Sequence, residues 1–175
     1  MKTKRSDLAR EFIENALFRI EENMRMLQKS LDFLKEEEVW KRPNETSNSV
    51  GNILVHLRGN ITQYILAGLG GAEDLRERDA EFAVQGGLSK RELMEQIHAL
   101  MQEVKSALKN LSDEQLTNYY KVQGFDLSGA GIVLHVVEHF SYHTGQIAFW
   151  TKSLKNRDLG FYEGVDLNIK NKNGC

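Results

Sequence analysis

Three histidines stand at four-residue intervals in one short stretch, His135-Val-Val-Glu-His139-Phe-Ser-Tyr-His143-Thr-Gly-Gln146. Two imidazoles at i and i+4 on a helix can turn their nitrogens toward one point, the usual geometry of a histidine pair on a metal ion. With Ile132 set to zero, His135, His139 and His143 project to roughly 300°, 340° and 20° on a helical wheel. Val136, Phe140, Ile147 and Trp150 project to roughly 40°, 80°, 60° and 0°. The imidazoles therefore run along the face that should be buried, and buried polar groups need partners. A metal ion satisfies several at once. One helix cannot aim all three at a single ion, because the outer two lie about 12 Å apart along the axis. One of His135 and His143 must then support a ligand, face a substrate or simply pack.

A partner from elsewhere in the chain is His56, which shares a polar seam with Asn60 and Gln63 beside the apolar stripe Ile53, Leu57, Ile61 and Tyr64. His98 projects to about 140° on a helix whose apolar stripe centres near 40°, so it is read as exposed and without a role. Glu138 points about 100° away from His139 and is left out of the ligand set. Gln146 shares the histidine face and could hydrogen-bond a ligand or a substrate, or pack. The charged run Arg76 to Glu81 reads as a solvated loop.

Four amphipathic segments must position these groups. From Ser6 to about Glu38 there is neither Gly nor Pro, and Leu8, Phe12, Ile13, Leu17, Ile20, Met24, Leu27, Leu31 and Leu34 recur at helical steps. Pro43 ends that segment. The cap-rich run Glu45 to Ser49 opens a second helix from about Val50 to Leu69, stopped by Gly70-Gly71. Residues 72–88 read as an irregular connection, and connections of that length are often functional. Ser89-Lys-Arg-Glu92 is a capping box that opens a third helix carrying Leu93, Ile97, Leu100, Met101, Val104 and Leu108. Ser112 to Gln115 caps a short turn, Tyr119 to Leu127 holds a small extended piece, and Ser128 starts the fourth helix, which runs to about Lys155. The expected architecture is all-α, a four-helix bundle over 1–157 with a C-terminal tail over 158–175. Such bundles build metal sites from side chains on facing helices.

The 175 residues suffice for one domain with a real core. A formal net charge of −2, without a basic patch, argues against nucleic acid. No apolar run reaches transmembrane length, and no signal-peptide core is present, so a cytoplasmic protein with no membrane partner is expected. The single cysteine, Cys175, excludes an internal disulfide and argues against thiolate ligation.

At these residues the chain resembles the DinB/YfiT-like family of small four-helix bundle metal proteins. Trp40-Lys-Arg-Pro43-Asn-Glu-Thr-Ser-Asn-Ser49 resembles the family's lead into helix two. His56-Leu57 with Gly59-Asn60 resembles its second-helix histidine segment, and His139-Phe-Ser-Tyr-His143-Thr-Gly-Gln146 its fourth-helix motif. Thr144 stands where that motif commonly has arginine, which weakens any role for a cation there. The segment from Gly68 to Phe82 resembles one subgroup of the family. The resemblance implies a metal triad of His56, His139 and His143, and leaves His135 outside it.

Three neutral imidazoles leave open positions on a divalent ion, as catalytic sites do. Zn or Ni is expected first, with Co, Fe or Mn as alternatives, since affinity order alone does not choose. Such an ion acidifies bound water or a bound thiol. Two enzymes are consistent with that chemistry. One joins a low-molecular-weight thiol to a small electrophile, the activity that the resemblance to bacillithiol- and mycothiol-dependent relatives implies. The other hydrolyses a small substrate. A metal-binding stress protein without turnover is the reading from a different class. A small-molecule substrate and a homodimer complete the expectations.

Overall fold

The computed structural model describes residues 5–171; Cys175 lies outside them. Four long helices form the bundle. They are α1 (Asp7–Phe33), α3 (Val50–Ile61) continued by a π-helix (Thr62–Leu69), α5 (Lys90–Asn110) and α7 (Gly129–Lys155). Shorter elements join them: α2 (Glu36–Val39), α4 (Arg78–Ala83), α6 (Asp113–Thr117) and an antiparallel hairpin of β1 (Tyr119–Val122) and β2 (Phe125–Ser128). α1 packs along α7, while α3 lies against both α5 and α7. The core is the expected set of stripes, with Leu27, Leu31, Leu57, Ile97, Val104, Phe140 and Ile147 all buried.

The starts of the elements follow their caps. The Ser49 and Ser89 hydroxyls accept from the Asn52 and Glu92 amides, and the Asn52 and Glu92 side chains reach back to the amides of Ser49 and Ser89. Ser112 with Gln115 repeats the motif ahead of α6. Each such cap contributes about 1 kcal/mol.

Two boundaries differ from the sequence reading. The first helix ends at Phe33 rather than near Glu38, and Leu34 turns extended. A distant residue satisfies the end: Lys90 Nζ donates to the carbonyls of Leu31 and Leu34 at 3.1 and 2.8 Å. The second helix is not uniformly α, since its last eight residues are π-helical. At the other end of the chain, the beginning of the tail is docked. Leu159 is buried, and Arg25 and Lys29 donate to the carbonyls of Phe161 and Gly160.

Residues 72–88 are less irregular than expected. They contain α4 and lie along α3 and its π-helical continuation, the shared face of which carries Asn52, His56, Asn60 and Gln63. Asn52 Nδ2 donates to the carbonyls of Glu81 and Val84 at 3.1 and 2.6 Å, pinning the connection to the helix one turn before His56. Among the described residues, no helix is long and apolar enough to cross a membrane.

Candidate metal centre

α3 and α7 face each other so that His56 meets His139 and His143. The Nε2 atoms of His56 and His143 each stand 3.2 Å from His139 Nε2. One nitrogen from each of the three residues lies within 4.8 Å of the others. Tetrahedral coordination at metal–nitrogen bonds of about 2.0–2.1 Å puts neighbouring nitrogens about 3.3 Å apart. Two of the three separations match that spacing without any movement.

The outer nitrogens fix the tautomers. His56 Nδ1 faces Glu81 Oε2 at 2.8 Å, and a carboxylate can only accept, so Nδ1 carries a proton and, in the neutral imidazole, Nε2 keeps its lone pair. Arg76 Nη2, 3.2 Å from the same Nδ1, donates to Glu81 Oε2 instead. His143 Nδ1 faces Gln146 Oε1 at 2.7 Å, which puts its proton on Nδ1 as well. His139 Nε2 therefore meets two lone pairs. It can donate one proton to one of them and leaves the other unmatched. A cation satisfies all three, and the donor set fits a divalent metal. His139 differs from its partners in having Nδ1 buried with no hydrogen-bond partner.

Electrostatics agree with neutral ligands. Burial, then the neighbouring imidazoles, push His139 down to about 3. Burial brings His143 to about 4, against the opposing hydrogen bond that its Nδ1 donates to Gln146. Both are then neutral imidazoles at neutral pH, each with one ring nitrogen bare, as ligation requires.

A buried network holds His56 from behind. Burial raises the Glu81 carboxyl, but hydrogen bonds from Arg76 and His56 outweigh it and keep the group below the ordinary carboxylate range. Arg76 grips Glu81 through Nε and Nη2 at 2.7 and 2.9 Å, and Gln63 Oε1 through Nη1 at 2.8 Å. Gln63 in turn donates to Asp74 at 2.8 Å. The side chains of Arg76 and Glu81 are 4% and 8% exposed, so the two ends of the charged run that reads as a solvated loop are a buried support for His56, while Glu77, Arg78 and Asp79 between them are exposed as expected. Gly59 makes room for it, because a Cβ there would collide with Glu81 Oε1. The signal available in the sequence was the polar seam itself, which had to be paired with something.

The other candidates separate cleanly. His135 lies outside the triad, with its ring stacked on Tyr64 at 4.1 Å and its Nε2 3.4 Å from Asn60 Nδ2. Glu138 and His98 are exposed, and His98 Nδ1 donates to the Met94 carbonyl of its own helix. Thr144 is buried in the bundle and does not line the cavity beside the triad. That cavity, of about 410 Å³, is bounded by α3, α7, the connection and the hairpin. A larger groove of about 740 Å³ lies between α3, the connection and α5, with no histidine in its lining. The chemistry belongs to the smaller space.

Residues 7–162 match the family described as "Protein of unknown function (DUF1572)". The chain belongs to the DUF1572 family. Among curated proteins, none matches it. Solved structures align over most of its length. A DinB-like protein from Bacillus cereus ATCC 10987 is 19% identical, with a TM-score of 0.64, over 82% of this chain and 92% of that one. A conserved protein from Enterococcus faecalis is 16% identical at a TM-score of 0.66, over 89% and 100%. A DinB-like protein from Bacillus subtilis is 14% identical at 0.61, over 83% and 92%. At these identities the likeness is one of fold, so this DUF1572 chain is a DinB-like helical bundle with a histidine group able to hold a metal ion.

Proposed function

We propose that the chain binds one divalent transition metal through His56, His139 and His143 and uses it to join a small thiol to a small electrophile. The observation carrying this reading is the convergence of three Nε2 atoms, two of them with their protons fixed on Nδ1. An ion held by three neutral imidazoles supplies Lewis acidity at its open positions, lowering the pKa of a thiol or water bound there.

A thiol suits the surroundings better than water. Its pKa starts near 8.5, so it ionises near neutral pH with no protein base. Glu81, whose hydrogen bonds already go to Arg76 and His56, is not free to serve as one. In the reaction a sulfur–carbon bond forms as the bond from carbon to the leaving group breaks. The thiol proton passes to solvent, and the leaving group departs as an anion. His56, His139 and His143 hold the ion, while Glu81 and Gln146 hold two of those rings in orientation. Zn or Ni is the expected metal.

The test incubates metal-loaded protein with an activated aryl halide, with and without a panel of small thiols. Turnover that requires thiol supports the proposal. Turnover in water alone would make the protein a hydrolase, and no turnover with tightly held metal would make it a binding protein. A homodimer belongs to the same proposal, supported by the exposed Leu134, Tyr142 and Phe149 of α7. A monomer mass by light scattering contradicts that part.

A further inference from the structure

The cavity beside the triad is unevenly charged. Its lining includes His56 and His139 together with Arg76 and Arg78, and no aspartate or glutamate. Arg76 is matched by Glu81, but Arg78 is not committed in the same way. Its guanidinium lies over the Phe82 ring at 4.9 Å, its side chain is half exposed, and its nearest carboxylate is the fully exposed Asp79 at 4.0 Å. Stacking on Phe82, which itself packs against the His56 ring at 4.7 Å, holds that cation beside the triad.

A second observation points to a ligand in the same space. Asn60 lines the cavity and is 3% exposed, yet its Oδ1 has no hydrogen-bond partner. Buried carboxamides are rarely left half-paired, because the unmatched atom forfeits its hydration. The volume of about 410 Å³ falls in the range of small-molecule sites. An apolar wall is supplied by Tyr64 and Phe125.

From the half-exposed cation beside the triad, matched only by the fully exposed Asp79, and a lining without carboxylates, we infer that this cavity takes a small carboxylate-bearing ligand, with the carboxylate at Arg78, the reactive group toward the triad and a hydrogen-bond donor of the ligand on Asn60 Oδ1. The inference rests on the thiol reading for the identity of that reactive group, though not for the charge at the outer end. Arg76, already bonded on both faces, contributes field rather than contact. Arg78 supplies the planar fork that suits a carboxylate.

The discriminating ligands are 3-mercaptopropionate and its amide, which share a thiol arm and differ in charge. Each is titrated into cobalt-loaded wild-type protein and into Arg78→Gln, by calorimetry for affinity and by the sulfur-to-cobalt absorption band for contact with the ion. The acid should bind about five- to ten-fold more tightly than the amide, the range of a partly exposed Arg–carboxylate pair. In Arg78→Gln that ratio should fall toward one, at unchanged metal content and with the loss on the acid. Equal affinities in the wild type, or a ratio that survives Arg78→Gln, overturn the inference. A charge preference without the absorption band keeps the carboxylate site and contradicts the thiol reading. A band without a charge preference does the reverse.

Discussion

At the scale of single residues, the triad is set by what lies behind it. His56 and His143 each have one nitrogen committed to an acceptor, Glu81 or Gln146, which leaves the other bare. Partners of that kind orient ligands and raise their basicity, and their loss costs roughly 10- to 100-fold in metal affinity. Glu81→Gln keeps the shape but removes the charge that holds the proton on His56 Nδ1. It should weaken metal binding about ten-fold in competition with a chelator. The nitrogen-15 shifts of the metal-free protein should show His56 passing from one tautomer to a mixture. Unchanged affinity together with an unchanged tautomer would remove Glu81 from the site. This residue also marks where the sequence misleads. Charges in a Gly-bounded connection look solvated, and nothing local to Arg76 or Glu81 says otherwise. Their burial is dictated by the seam along α3 and the π-helix, in which Asn52, His56, Asn60 and Gln63 demand polar partners.

At the scale of elements, the helices and their caps were legible because periodicity and capping are local properties. Ser49, Ser89, Ser112 and Ser128 all cap as their neighbours require. The end of α1 was not legible, since the group that caps its last carbonyls, Lys90, comes from another helix. Nor was the π-helix over Thr62–Leu69, whose residues suit an α-helix equally well. π-Helical turns recur at functional sites, and this one carries Gln63 and Tyr64, which contact Arg76 and His135. Gly59 gives an element-level test. In a helix interior Gly→Ala ordinarily stabilises by about 1 kcal/mol. Here the added methyl must displace Glu81. Gly59→Ala should therefore leave the melting temperature unraised and lower metal affinity in parallel with Glu81→Gln. A more stable protein with undiminished affinity would contradict the docking of the connection on α3.

At the scale of the whole molecule, the site draws on the stability of the bundle. The His139 and His143 side chains sit near 3 and 4 when folded, against about 6.5 for an ordinary histidine. Below pH 6.5 the unfolded chain binds protons that the folded chain refuses, so unfolding takes protons up and stability falls with pH. Glu81, held low, adds to the same trend as the pH drops through the carboxylate range. The melting temperature of chelator-treated protein should hold from pH 8 to 7 and decline between about pH 6.5 and 4. The double substitution His139→Gln, His143→Gln should flatten the upper part of that decline. A flat wild-type profile would mean that the imidazoles are not buried neutral in the metal-free bundle.

The grouping of His56, His139 and His143, on which the central claim of a metal centre rests, was half legible from the helical wheel. The wheel put the imidazoles on the buried face but could not choose between His135 and His143. In the folded chain, His143 converges with His56 on His139, while His135 stacks on Tyr64. The most direct measurement is elemental analysis of untagged protein grown without added metal, for the wild type, His139→Ala and His98→Ala. A three-histidine centre predicts close to one transition-metal ion per chain in the wild type and in His98→Ala, and loss of most of it in His139→Ala. Equal retention in all three, or equal loss from both variants, would contradict it.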